Sequence, residues 1–155
     1  MESEMIEQLR AEYNRLLETD VNEALPLIRQ AAHWGDLESQ KLACDIYNEG
    51  RLVTKDEKLA REYARLAALN GDVSSMVMLA DALAAEKDYV SAVYFLRKAA
   101  DANYSPALDR LAMAALTGKG MEKDPKLAKE LIDKADSDDE TVSRHKKMID
   151  LANNK

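Results

Sequence analysis

Residues 111–128 read LAMAALTGKGMEKDPKLA. An apolar segment with helical spacing runs into a turn carrying Gly118 and Gly120. Asp124-Pro125 then restarts the chain, an acceptor for the first free amides followed by a proline fixed at a helical φ. A second apolar-periodic segment follows. The stretch is therefore helix, glycine turn, capped helix, and diverged copies of it lie upstream. Double alanines fall at Ala31-Ala32, Ala67-Ala68 and Ala99-Ala100, with Ala135 in the fourth place. Ala24, Ala60, Ala92 and Ala128 keep the same steps. A Leu-Ala pair recurs as Leu42-Ala43, Leu79-Ala80 and Leu111-Ala112. Steps of roughly 32–36 residues mark stacked helical repeats.

The pattern predicts nine helices. The first covers residues 4–17, and the second opens at Asp20 or Asn22 and stops at Gly35. Asp36 caps a helix over 37–49 that Gly50 ends. Asp56 opens a helix to Asn70, and Asp72 caps one over 73–86. Asp88 opens a helix to Asn103, with Asn103 in the left-handed position that glycine takes elsewhere. Ser105 with Pro106 is read as cap and first residue of a helix to Thr117. The helix after Asp124 is expected to reach about Asp136, and the last spans roughly 139–152. No segment alternates as a strand does. The expected fold is all-α: an α/α solenoid of about four antiparallel helix pairs plus a C-terminal capping helix, forming a single domain over 1–155. A pair alone leaves apolar surface open, and stacking covers it.

Composition narrows the function. The net charge is −7, with 46% apolar and 33% charged residues. Nucleic-acid binding needs clustered Lys and Arg, and anionic membranes make the same demand, so neither partner is expected. A lone cysteine, Cys44, permits no internal disulfide and suits a reducing compartment. The acidic start MESEMIEQLRAEYN has no apolar leader core. With Met1 as the true start, the expected location is cytoplasmic.

The stretch at Leu111 resembles the Sel1-like repeat, a relative of the tetratricopeptide repeat. The resemblance rests on Leu111, Gly118, Gly120, Asp124 and Ala128, and upstream on Leu42, Gly50, Asp56, Ala60, Ala67, Ala68 and Gly71. Ala43, Ala80 and Ala112 sit where the family often has glycine. The upstream turn reads as carrying one extra residue near Glu49. The unit around Leu79 has a shorter turn, Glu86-Lys87-Asp88, and tetratricopeptide-like spacing. The resemblance implies a curved, non-catalytic scaffold, mostly bacterial, that binds proteins or peptides.

It also implies that the first helix of each pair lines a concave face. Counting from each marker leucine gives Gln40, Cys44 and Tyr47, then Val77, Asp81 and Ala84, then Asp109, Met113 and Leu116. That surface reads as mildly acidic over an apolar floor, suited to a peptide or helix with basic and apolar residues. It lacks the Lys/Asn/Arg set by which some tetratricopeptide domains clamp a terminal carboxylate.

Chemistry-bearing groups are sparse. His33 and His145 have no His or Cys partner at helical spacing, which speaks against zinc. Cys44 has no CxxC partner and no base motif, and reads as a packing residue. Trp34 reads as a wedge between repeats, with a surface anchor for a partner as the alternative. The acidic run Asp136, Asp138, Asp139 and Glu140 lacks the glycine and final Glu of a calcium loop. Acids there favour a helix N-terminus. Gly118-Lys119-Gly120 is no phosphate loop, because neither the strand nor the G-x4-G-K-[ST] pattern is present. Met76, Met78 and Met113 read as core or groove filling. No catalytic residue, cofactor or metal is expected. The leading expectation is a bacterial adaptor binding a protein or peptide. The alternatives are a dedicated inhibitor, immunity protein or secretion chaperone for one partner, and a regulatory subunit binding a small molecule.

Overall fold

A computed structural model describes residues 1–155. It contains nine α-helices and no strand: α1 Glu2–Leu17, α2 Val21–His33, α3 Leu37–Glu49, α4 Glu57–Leu69, α5 Val73–Ala85, α6 Tyr89–Asp101, α7 Ser105–Thr117, α8 Pro125–Ile132 and α9 Glu140–Asn153. None is long and apolar enough to cross a membrane. The fold class is the all-α helix-pair solenoid read from the repeats.

The punctuation follows from local chemistry. Asp20, Asp36, Asp56, Asp88, Asp124 and Asp139 each accept backbone N–H groups at a helix start. Asp72 accepts from the Ser75 amide at 2.9 Å. A side-chain oxygen here satisfies a donor that the helix leaves unpaired. The α7 start departs from expectation. Its cap residue is Tyr104, which makes no side-chain cap bond, and Ser105 is already helical. The Ser105 hydroxyl instead accepts the Asp136 amide at 2.6 Å. Asn103 does take the left-handed position, at φ +57. Lys87, in the short turn, does the same at φ +66. The helix after Asp124 ends at Ile132, short of the expected Asp136.

The chain divides into two compact units, Met1–Ser75 and Met76–Lys155, with the boundary inside α5. In the first, α1 packs on α2, α2 on α3 and α3 on α4. Its core holds Tyr13, Ile28, Ile46, Tyr47 and Tyr63 among alanines, and Ala24, Ala31 and Ala43 are fully buried. Alanines at contacts let helix axes approach closely while adding apolar burial of about 25 cal/mol per Å². A polar cluster ties α1 to the α3 start. Arg10 forms an ion pair with Asp36, and its Nε donates to the same carboxylate at 3.1 Å. Ser39 donates its amide and hydroxyl to Asp36, and the Tyr13 hydroxyl meets that of Ser39 at 3.1 Å. Burial works to raise Asp36, but the hydrogen bonds from Arg10 and Ser39 outweigh it and hold the carboxyl below its ordinary value.

In the second unit α6 packs on α7, α7 on α8, and α9 on both α8 and α7. Leu79, Leu108, Ile132 and Ile149 are its largest fully buried side chains. Helix α9 is fastened by polar bonds. Lys129 pairs with Asp150 at 2.7 Å, Lys146 with Asp133 at 3.3 Å, and the Asn153 amide donates to the Pro125 carbonyl at 2.9 Å.

The repeats also show their true register. Helices α3 and α7 have the same length and end at Gly50 and Gly118, both left-handed. From each glycine to the next capping aspartate the interval is identical. The turn after Glu49 therefore carries no extra residue. Leu42-Ala43 is one position out of step with Leu111-Ala112, and the equivalent of Leu111 is Ala43.

Candidate binding groove

A groove of about 370 Å³ opens within the second unit. Ala80, Asp81 and Ala84 contribute from α5, Ala92, Val93 and Leu96 from α6, and Asp109, Arg110, Met113, Ala114 and Thr117 from α7. Tyr89, Lys119 and His145 complete the rim. Small alanine side chains on facing helices leave the volume open, and Val93, Leu96 and Met113 make its surface apolar.

The polar rim is organised in pairs. Arg110 donates from Nε to Asp81 at 2.7 Å and from Nη1 to the Pro106 carbonyl at 3.2 Å. His145, reaching in from α9, meets Asp109 at 2.7 Å. Asp109 is only 6% exposed, so its imidazole partner is what makes a carboxyl tolerable there. Lys119 lies with Nζ 5.3 Å from the centroid of the Tyr89 ring, a cation–π arrangement.

The glycine turn places that lysine. Gly118 and Gly120 have φ +78 and +77, a region open to glycine at little cost. At Gly120 the reason goes beyond φ. A Cβ there would stand 2.2 Å from the Tyr89 carbonyl oxygen. The turn lies directly on the first residue of α6, and Lys119 is carried to the groove mouth.

Of the residues expected on the binding face, Asp81, Ala84, Asp109 and Met113 line this groove together. Val77 is buried and Leu116 half-buried, and neither reaches it. In the first unit Gln40, Cys44 and Tyr47 are all buried. Gln40 donates to the Ala32 carbonyl at 3.0 Å, and Tyr47 stacks on Tyr63 with ring centroids 5.9 Å apart. The one-residue slip of Leu42 accounts for this. In the true register the positions matching Val77, Asp81 and Ala84 are Lys41, Asp45 and Asn48, and Asp45 and Asn48 are exposed. Burial pushes the Cys44 thiol up to about 11, with Asp45 adding to the effect. That keeps it protonated and poorly nucleophilic.

Other singled-out residues take local roles. His33 is exposed at the end of α2, with Nδ1 2.7 Å from the Arg29 carbonyl and its ring edge-on to Tyr63. Trp34 is half-buried at the α2 C-cap. In the acidic run, Asp139 caps α9 and Asp136 accepts the Asp138 amide. No group of three or more His, Cys, Asp or Glu side chains converges as a metal site would require. Tyr89, Arg110, Lys119 and His145 were not among the residues expected on this face. Helical counting follows one helix face, and these residues arrive from a helix start, an adjacent face, a turn and α9.

Stacked helix pairs of this length, with aspartate caps at their starts, define an α/α-repeat protein. More narrowly, the Sel1 repeat matches at residues 38–72, 74–104 and 105–135, and the chain belongs to that family. The matched units are α3–α4, α5–α6 and α7–α8, so the outer helices α1, α2 and α9 lie outside them. Among solved structures, a Sel1 repeat protein from Oxalobacter formigenes is similar at 26% identity and a TM-score of 0.68. The match covers 77% of this chain and 94% of that one. A protective antigen of uropathogenic Escherichia coli strains, displaying an SLR fold, is similar at 28% identity and a TM-score of 0.65. That match covers 74% of this chain and 26% of that one, so the chain spans about a quarter of the antigen. No curated protein matches the chain. Sel1 repeat proteins generally mediate protein–protein interaction and are generally non-catalytic scaffolds.

Proposed function

We propose that this protein is a non-catalytic adaptor that binds a peptide segment of another protein in the groove between α5, α6 and α7. The observation that carries the reading is the groove itself: an apolar floor whose carboxylates and cations sit at the rim. Such a surface suits capture of an exposed side chain: Asp81 is paired with Arg110 and Asp109 with His145, and the floor between them is apolar. Both structural relatives are bacterial, and a lone buried thiol suits a reducing compartment, which together support a bacterial cytoplasmic adaptor. A dedicated inhibitor or secretion chaperone is a special case, recognised by a stoichiometric complex that silences one partner.

The test is affinity capture from the native host with the wild-type chain, Ala84→Phe and Met113→Arg, which fill the groove from its α5 and α7 walls. The expected result is a discrete partner held by wild type and lost from both folded variants. Unchanged capture by both overturns the groove assignment. A second reading, a regulatory subunit for a small molecule, is favoured by the volume, which lies in the range of roughly 300–1,000 Å³ common for ligand pockets. A metabolite thermal-shift screen that raises the melting temperature of wild type but not of Met113→Arg would establish it.

A further inference from the structure

The rim charges specify the partner's chemistry, an inference that rests on the adaptor reading above. Both groove carboxylates are occupied: Asp81 by Arg110 and Asp109 by His145, each at 2.7 Å. A basic partner residue would find the Asp81 charge already balanced by Arg110 and the Asp109 carboxyl buried against His145. Lys119 is in the opposite position. Its ammonium faces the Tyr89 ring, and no carboxylate of the chain pairs with it. It is also placed by main chain, because Gly120 rests on the Tyr89 carbonyl. The groove, of about 370 Å³ in all, can admit a large apolar side chain over Ala84, Ala92, Val93 and Met113.

We infer that the groove takes a bulky apolar side chain, tryptophan or phenylalanine in size, from a partner segment whose neighbouring residue places a carboxylate against Lys119. The recognised segment is acidic and apolar, where the sequence alone suggested basic and apolar. The chain's net charge of −7 opposes an acidic partner only at long range. Beyond about 8–10 Å that field is largely screened at physiological salt, and the contact at Lys119 acts inside this distance. An ion pair at a partly exposed rim is worth a roughly two- to fivefold preference.

Three synthetic decapeptides test this against the full-length ¹⁵N-labelled protein by amide chemical-shift titration. One carries tryptophan flanked by glutamates, one tryptophan flanked by lysines, and one alanine flanked by glutamates. The expected result is saturable shifts clustered at Ala84, Ala92, Met113 and Lys119 with the first peptide. The second should bind roughly two- to fivefold more weakly, and the third should not saturate. Lys119 lies in an exposed turn, so Lys119→Glu should keep the wild-type spectrum elsewhere while inverting the order of the first two. Equal or tighter binding of the lysine peptide overturns the inference and leaves the adaptor reading standing. So does the absence of any peptide binding while Met113→Arg still abolishes partner capture. No peptide binding together with unchanged capture overturns both.

Discussion

Gly118 and Gly120 offer a matched pair for measuring what a close backbone approach is worth. Their φ values differ by one degree, +78 and +77, so an alanine meets the same conformational penalty at either site. That penalty is about 1 kcal/mol, set by Cβ against the following carbonyl in the left-handed region. Their surroundings differ. A Cβ on Gly118 finds the Lys123 Cβ at 3.4 Å, an ordinary contact. A Cβ on Gly120 finds the Tyr89 carbonyl oxygen at 2.2 Å, its carbon at 2.5 Å and the Tyr89 Cβ at 3.0 Å. Those atoms belong to the start of a helix and cannot swing aside as a side-chain tip can. Forcing atoms into packed main chain typically costs a further 1–3 kcal/mol. Gly118→Ala should therefore lose about 1 kcal/mol and Gly120→Ala about 2–4 kcal/mol. Urea unfolding followed by circular dichroism at 222 nm resolves that difference. Equal losses, or a milder effect at Gly120, would refute the account of the turn as resting on α6.

Two further outcomes follow from the first unit. The Asp36 carboxyl is held below its ordinary value in the fold. Its contribution to stability is thus complete above its unfolded value, near pH 4, and fades as pH falls through the lower folded value. The stability gap between wild type and Asp36→Asn should be open at pH 7 and close below about pH 4, read from urea midpoints across pH; a gap that widens on acidification contradicts the assigned shift. Cys44 is 3% exposed, with its thiol pushed up to about 11. Iodoacetamide at pH 8 should leave it largely unmodified in the native protein and alkylate it fully in urea, by mass spectrometry. Rapid native labelling would mean that α3 opens far more readily than its packing implies.

How much the sequence could reveal depended on the range of the interaction concerned. Aspartate caps were legible because the side chain bonds an amide two or three residues on, as Asp124 does with Leu127. Asn103 was legible for a related reason: few residues tolerate a positive φ, and asparagine is one. The Leu42 marker misled because a Leu-Ala pair in an alanine-rich helix fixes composition but not rotation. One residue turns a helix by about 100°, enough to exchange exposed Asp45 for buried Cys44. The glycine-to-aspartate interval is the better ruler, since a turn of given length must close on the same geometry. Ser105 looked like a cap because Ser-Pro often is one, yet its hydroxyl serves Asp136, far along the chain. The Asp109–His145 pair joins residues 36 apart and has no local signature. The groove's α5 and α7 walls could thus be counted, but its rim could not.

The unequal lengths of two turns carry a consequence for how such arrays diversify. Glu86-Lys87-Asp88 joins α5 to α6 directly, and Tyr89 begins the next helix at once. The longer turn of the following repeat then folds back over that start and brings a charge to the mouth. The recess is a product of order, a brief connection succeeded by an extended one. Exchanging the units 74–104 and 105–135 would keep every amino acid and every helix, yet dismantle the recess. Insertions and deletions at these connections would thus reshape such a recess while leaving the helices themselves untouched.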